Sequence, residues 1–232
     1  MATGNTASGT FYIFNKQKQS IPIVFVHGVG LTYEIWQPQL NFFKNYSNLS
    51  YDILGHGRSS LTKQNISFDD FSEQLIELID ELKIEKIHLI GFSIGSLIAR
   101  NFATRYGDRL QSLILLGSIY KRSEQQQKIV NERFDQAKKE LKLSRQAMKR
   151  WFTDIYLENN TDTYEKISSI LSENNMANFL KVYELFVRHK NDEDFEKIYC
   201  KTLVMTGEHD IGSTIEMSQP VSYTHLTLPT KA

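Results

Sequence analysis

"KIHLIGFSIGSLIARNFATRYG", residues 86–107, passes from a short apolar stretch, through two glycines flanking a serine, into a stretch of helical character. Residues 86–91 read as a buried strand, and residues 96–107 as a helix stopping at Gly107. A G-x-S-x-G pattern between a strand and a helix is a tight turn that can hold its serine strained, with Gly91 and Gly95 leaving room for backbone. Without those flanks the same residues would read as a structural Gly/Ser turn. With them, Ser93 is the candidate nucleophile. The next residue, Ile94, would aim its backbone N–H at an oxyanion from the start of the helix.

Working outward, strand-like and helix-like segments alternate. Strands are expected at residues 10–14, 21–28, 86–91, 110–118 and 201–210, and a helix-compatible stretch covers residues 33–45. In "FDDFSEQLIELIDELK" the apolar Phe71, Leu75, Ile76, Leu78, Ile79 and Leu82 recur on one face of a helix. This alternation predicts an α/β fold with a mostly parallel sheet covered by helices. Residues 120–194 instead carry charged, helix-rich sequence with no comparable strand. They are expected to form a helical cap inserted into the sheet domain, which divides the chain into a first core part (1–119), the cap (120–194) and a second core part (195–220).

The 41% apolar content of 232 residues is enough for one sizeable core. Twenty-seven basic residues balance 27 acidic ones, which removes the electrostatic case for nucleic acid or an anionic membrane surface as partner. No apolar run approaches the length of a membrane span. The single cysteine, Cys200, cannot form an internal disulfide, and "MATGNTASGT" lacks the charge and apolar regions of a signal peptide. A reducing, cytoplasmic location is expected, with a small molecule as partner and no cofactor or metal. Oligomeric state is not written in the sequence.

Three further stretches bear on the chemistry. "HGVG" (27–30) follows a buried strand, where a second oxyanion N–H is needed, and Val29 is its expected donor. His27 at that strand end is read as bonding its own loop. In "YDILGHGRSS" (51–60), Asp52, His56 and Arg58 are read as ordering a tight loop. In "LVMTGEHD" (203–210), Asp210 follows a strand at the sheet edge where open α/β sheets place their sites, and it can orient a histidine. It can equally cap a helix beginning near Ser213, and Glu208 could serve in either role.

Together "HGVG", "YDILGHGRS", "GFSIGS" and "GEHD" resemble the α/β-hydrolase family in order and over nearly the whole chain. The cap segment "RWFTDIY" (150–156) with "LVMTGEHDIGST" is similar to the 3-oxoadipate enol-lactonase and carboxylesterase group. The resemblance implies a serine hydrolase of a small carboxylic ester or lactone: Ser93 as nucleophile, Asp210 in preference to Glu208 as acid, and Val29 and Ile94 as the oxyanion hole. Carbon–carbon bond hydrolases, cofactor-free peroxidase-like members and non-catalytic binding proteins on the same fold remain alternatives. Trp151, Phe152, Phe179 and Phe186 could line the pocket, but packing within the cap is the simpler expectation.

The family's histidine base follows the acid. A helix of about 11 residues and a strand of about 5 should separate them, joined by connections of about 4–6 residues. His225, the only histidine beyond Asp210, comes too soon for that. The surrounding "VSYTHLTLPT" resembles one reading frame of a transposon-end sequencing adapter. The sequence-based expectation is therefore an incomplete copy: a non-native tail at 221–232, the last strand and helix missing, the catalytic histidine absent and the chain itself inactive.

Overall fold

The computed structural model describes residues 2–18, 20–140, 148, 151–190 and 195–223, with side chains to residue 221. Seven strands, β1 (Ala2–Asn5), β2 (Phe11–Asn15), β3 (Ile23–Val26), β4 (Asn48–Tyr51), β5 (Ile87–Phe92), β6 (Leu110–Leu116) and β7 (Lys201–Met205), form one sheet in the order β1-β2-β4-β3-β5-β6-β7. β1 pairs antiparallel with β2, and β2 with β4; the remaining pairs are parallel. The core helices are α1 (Gln37–Phe42), α2 (Phe68–Glu81) and α3 (Ile94–Arg105). Between β6 and β7 the described residues include α4 (Glu124–Glu140), α5 (Asp154–Asn159), α6 (Thr161–Ser172) and α7 (Met176–Arg188), and α8 (Ile215–Tyr223) follows β7.

Strand periodicity decides what each face buries. On β3, Val24 and Val26 join the cluster built with Leu75, Leu78 and Ile79 of α2 and Leu97 and Phe102 of α3. Between them, Phe25 points to the other face and packs on Trp36 and Leu40. The sheet is thus covered on both sides, as its near-continuous apolar parallel strands require. Helix α2 begins in a reciprocal cap, in which the Ser67 N–H donates to Asp70 Oδ2 at 2.7 Å. Leu78 is fully buried in the α2 interface, and truncating such a leucine to alanine costs roughly 2–5 kcal/mol.

Two features depart from the sequence reading. At the polar start of the chain, where no strand is expected from the sequence, Ala2–Asn5 pairs with Phe11–Asn15 as the outermost strand. An exposed edge needs pairing but little apolar content, so periodicity does not reveal it. At the other end, α8 crosses the boundary expected at residue 220, and Val221 is buried in the main core with Met217. Residues 224–232, including His225, lie outside the described residues, as does Arg150.

Candidate active site

Ser93 sits between the end of β5 and the start of α3, with φ 56° and ψ −119°. Its backbone is pinned on both sides: the Ser93 N–H donates to the Leu116 carbonyl at 2.9 Å, and the Ser96 hydroxyl donates to the Ser93 carbonyl at 2.6 Å. The glycines are steric requirements. A methyl group on Gly91 would lie 2.2 Å from the Gly95 carbonyl oxygen, and one on Gly95 would lie 2.5 Å from the Val26 oxygen and 2.7 Å from that of His27. The first turn of α3 therefore rests directly on the end of β3. That contact brings the Ile94 N–H, at the positive end of α3, beside the loop that carries Val29.

That loop is held by two buried histidines. His27 Nε2 accepts from the Ile53 N–H at 3.0 Å, so Nδ1 carries the proton and donates to the Gly28 carbonyl at 2.8 Å. His56 Nε2 accepts from the Gly30 N–H at 2.8 Å. Each loop thus lends an imidazole to the other's backbone. Burial pushes the His27 pKa down to about 4 and that of His56 down to about 3, so both are neutral at pH 7. The 4.0 Å approach of His27 to Asp52 is consequently not an ion pair. Asp52 accepts instead from the N–H groups of Tyr33 (2.8 Å) and Arg58 (2.9 Å). The loop-ordering roles expected of His27, Asp52 and His56 match these bonds; Arg58 contributes its backbone, with its guanidinium over the Phe11 ring at 4.5 Å.

Asp210 lies in the turn after β7. Its Oδ1 accepts from the Gly212 and Ser213 N–H groups at 2.8 and 3.0 Å, and its Oδ2 from the Ser213 hydroxyl at 2.6 Å. The carboxylate organises this turn rather than capping α8, which starts at Ile215. Asp210, Ser93 and Val29 line one cavity of about 290 Å³ between the sheet edge and the cap. Glu208 and His209 are exposed and do not line it.

None of the described histidines lines the cavity either. His27 and His56 are committed as above, His88 Nδ1 lies 2.7 Å from the Ser112 hydroxyl, and His189 packs edge-on against Phe68. On the cap side, Trp151, Phe179 and Phe186 face the cavity, contrary to the simpler packing expectation, whereas Phe152 stacks on Tyr156 at 5.2 Å. Phe179 does both, being fully buried.

The sequence reading missed the polar part of this wall. Arg122, Gln126, Ile129, Val130 and Arg133 all line the cavity, and their spacing of four, three, one and three residues is one face of a helix. The signal was present in the sequence, masked by the equally regular charges on the opposite face of α4.

The family described as alpha/beta hydrolase fold matches residues 21–219. Among curated proteins, the chain is 30% identical to (E)-2-((N-methylformamido)methylene)succinate hydrolase of Acinetobacter baylyi, over 88% of this chain and 78% of that protein. It is 24% identical to 3-oxoadipate enol-lactonase 2 of the same organism, over 85% of this chain and 74% of the relative. Among solved structures, a hydrolase from Pseudomonas aeruginosa superposes with a TM-score of 0.84 at 20% identity, covering 97% of this chain and 86% of the other. The enol-lactonase of Burkholderia xenovorans gives 0.81 at 19% identity, covering 97% and 88%.

Proposed function

Since this chain belongs to the α/β-hydrolase fold family, we propose that it carries the site of a serine hydrolase for small carboxylic esters or lactones. The observation that carries the reading is Ser93 itself, held at a backbone conformation disfavoured for any residue with a side chain and facing a cavity that Val29 and Asp210 also line. Strain of that kind persists where the surrounding structure over-determines it, as at a nucleophile.

In this reading the Ser93 hydroxyl attacks the substrate carbonyl. The tetrahedral oxyanion then accepts from the Val29 and Ile94 N–H groups, neither of which donates to another group among the described residues. Preorganised donors of this type contribute about 3–4 kcal/mol each to the transition state. Asp210 orients and stabilises the imidazolium of a histidine that takes the serine proton and returns it to the leaving group. None of the five described histidines lines the cavity. The reading assigns it to a histidine beyond Asp210, in this chain or in a longer protein of which it is part.

The lack of a described histidine at the cavity favours one second reading, a binding protein that encloses its ligand without cleaving it. Hydrolysis of 4-nitrophenyl acetate separates the two, measured with and without added imidazole, a diffusible substitute for the base. Ser93→Ala should abolish the protein-dependent rate, a loss of several orders of magnitude for a nucleophile. A rate equal in the Ser93→Ala protein, with no labelling of Ser93 by a fluorophosphonate, would leave the binding reading standing.

A further inference from the structure

We propose that the cap completes the oxyanion hole: Asn174, at the corner between α6 and α7, is a positioning residue that fixes the direction of the Val29 N–H. The catalytic consequence rests on the hydrolase reading; the coupling itself rests on hydrogen bonds.

Residues 28–31 form a tight turn, closed by the Leu31 N–H on the Gly28 carbonyl at 3.2 Å. Gly30 has φ 77°, the conformation that the third position of a type II turn reserves for glycine. Val29 is the second residue of this turn. Both polar groups of Gly30 are taken, and from opposite parts of the molecule. Its N–H donates to His56 Nε2 of the sheet domain at 2.8 Å, and its carbonyl accepts from Asn174 Nδ2 of the cap at 2.8 Å. The turn can rotate only by breaking one of these bonds. The Val29 N–H belongs to the turn and keeps its direction while both hold.

Asn174 carries the cap with it. The same amide nitrogen donates to the Ile170 and Leu171 carbonyls at 3.0 and 3.2 Å, which the end of α6 leaves without helical donors. Beneath it, Leu31 of the turn packs with Ile170 and Leu171. The next residue, Asn175, accepts from the Asn178 N–H at 3.1 Å and starts α7, which brings Phe179 and Tyr183 to the cavity. The first turn of α7 also rests on the second histidine-held loop, where a methyl group on Gly55 would lie 3.1 Å from Asn178 Cβ. One corner of the cap therefore carries a wall of the cavity and grips the turn that holds an oxyanion donor. The other tether of α6, from Lys166 Nζ to the Glu34 carbonyl at 3.1 Å, is exposed and lies past the turn. A donor turned away from the oxyanion loses most of its effect, because hydrogen bonds weaken steeply with angle.

The test uses the full chain with Asn174→Leu, which keeps the approximate shape but removes the donor, and Asn174→Gln, which keeps an amide. Backbone hydrogen exchange reads the coupling without any reaction. In Asn174→Leu the Gly30 and Leu31 N–H groups should exchange roughly tenfold faster, the equivalent of one lost hydrogen bond. The Ile53 N–H, held by His27, should exchange at the parent rate, and Asn174→Gln should lie closer to the parent. Imidazole-supported hydrolysis of 4-nitrophenyl acetate and of its thiono analogue, whose sulfur is a weak hydrogen-bond acceptor, reads the consequence. Asn174→Leu should lower kcat/KM for the oxygen ester by about ten- to a hundredfold, less than the loss of a whole donor. The thiono ester should lose far less, whereas a merely structural role would slow both alike. Unchanged exchange at Gly30 and Leu31, or an equal loss on the two esters, would overturn the proposal. Faster exchange in Asn174→Leu, without any Ser93-dependent hydrolysis in the parent, would uphold the grip of the cap on the turn and overturn the hydrolase reading alone.

Discussion

Replacing Ser93 by glycine should stabilise the fold relative to replacing it by alanine. At φ 56° and ψ −119° the residue has the conformation of the first central position of a type II′ turn, where glycine is the default. A residue with a side chain there costs roughly 1–3 kcal/mol. Both substitutions remove the hydroxyl, which takes no hydrogen bond from a described group, so their difference isolates the Cβ. Glycine's greater freedom in the unfolded chain offsets about 0.4–1 kcal/mol of the relief. Losing a half-buried methyl offsets a few tenths of a kcal/mol more. The balance is about 1 kcal/mol in favour of Ser93→Gly, or roughly 2–4 °C in melting temperature for a chain of this length. Thermal unfolding of the two purified variants at one pH measures it. An alanine variant as stable as the glycine variant, or more so, would refute the claim that the turn stores strain at Ser93.

Gly95→Ala should cost about 3 kcal/mol or more and reduce folded yield, because its methyl would meet the Val26 and His27 carbonyl oxygens on a neighbouring strand, at 2.5 and 2.7 Å; a melting temperature within 2 °C of the parent would contradict that contact. Stability should also fall in mild acid. His27 and His56 titrate near 4 and 3 in the fold but near 6.5 when unfolded, so below about pH 6.5 the unfolded chain binds protons the fold refuses. Their contribution is complete above that pH and is lost at up to roughly 1.4 kcal/mol per unit per histidine as pH drops toward the folded values. Asp52, whose pKa burial raises, opposes part of this. Urea midpoints unchanged between about pH 7 and pH 5 would mean that the two rings are not held neutral.

The sequence by itself determined the repeating units of this protein. Apolar spacing placed α2 because one helical face must be buried, and short Val, Ile and Leu runs placed β3, β5 and β6 because parallel strands are buried on both faces. The flanked glycines gave Ser93 its turn, since Gly91 and Gly95 occupy positions where any Cβ would strike backbone. These are local or nearest-neighbour constraints, and they leave periodic marks. The tertiary structure decided what depends on distant segments meeting. The exchange of imidazole bonds between the loops at His27 and His56 joins residues 26 apart. The edge pairing of Ala2–Asn5 depends on a partner strand rather than on its own composition. Whether Arg133, Trp151 and Phe179 face a cavity or solvent follows from how the cap helices lie across the sheet, because a helix's own periodicity defines a face but not what that face meets.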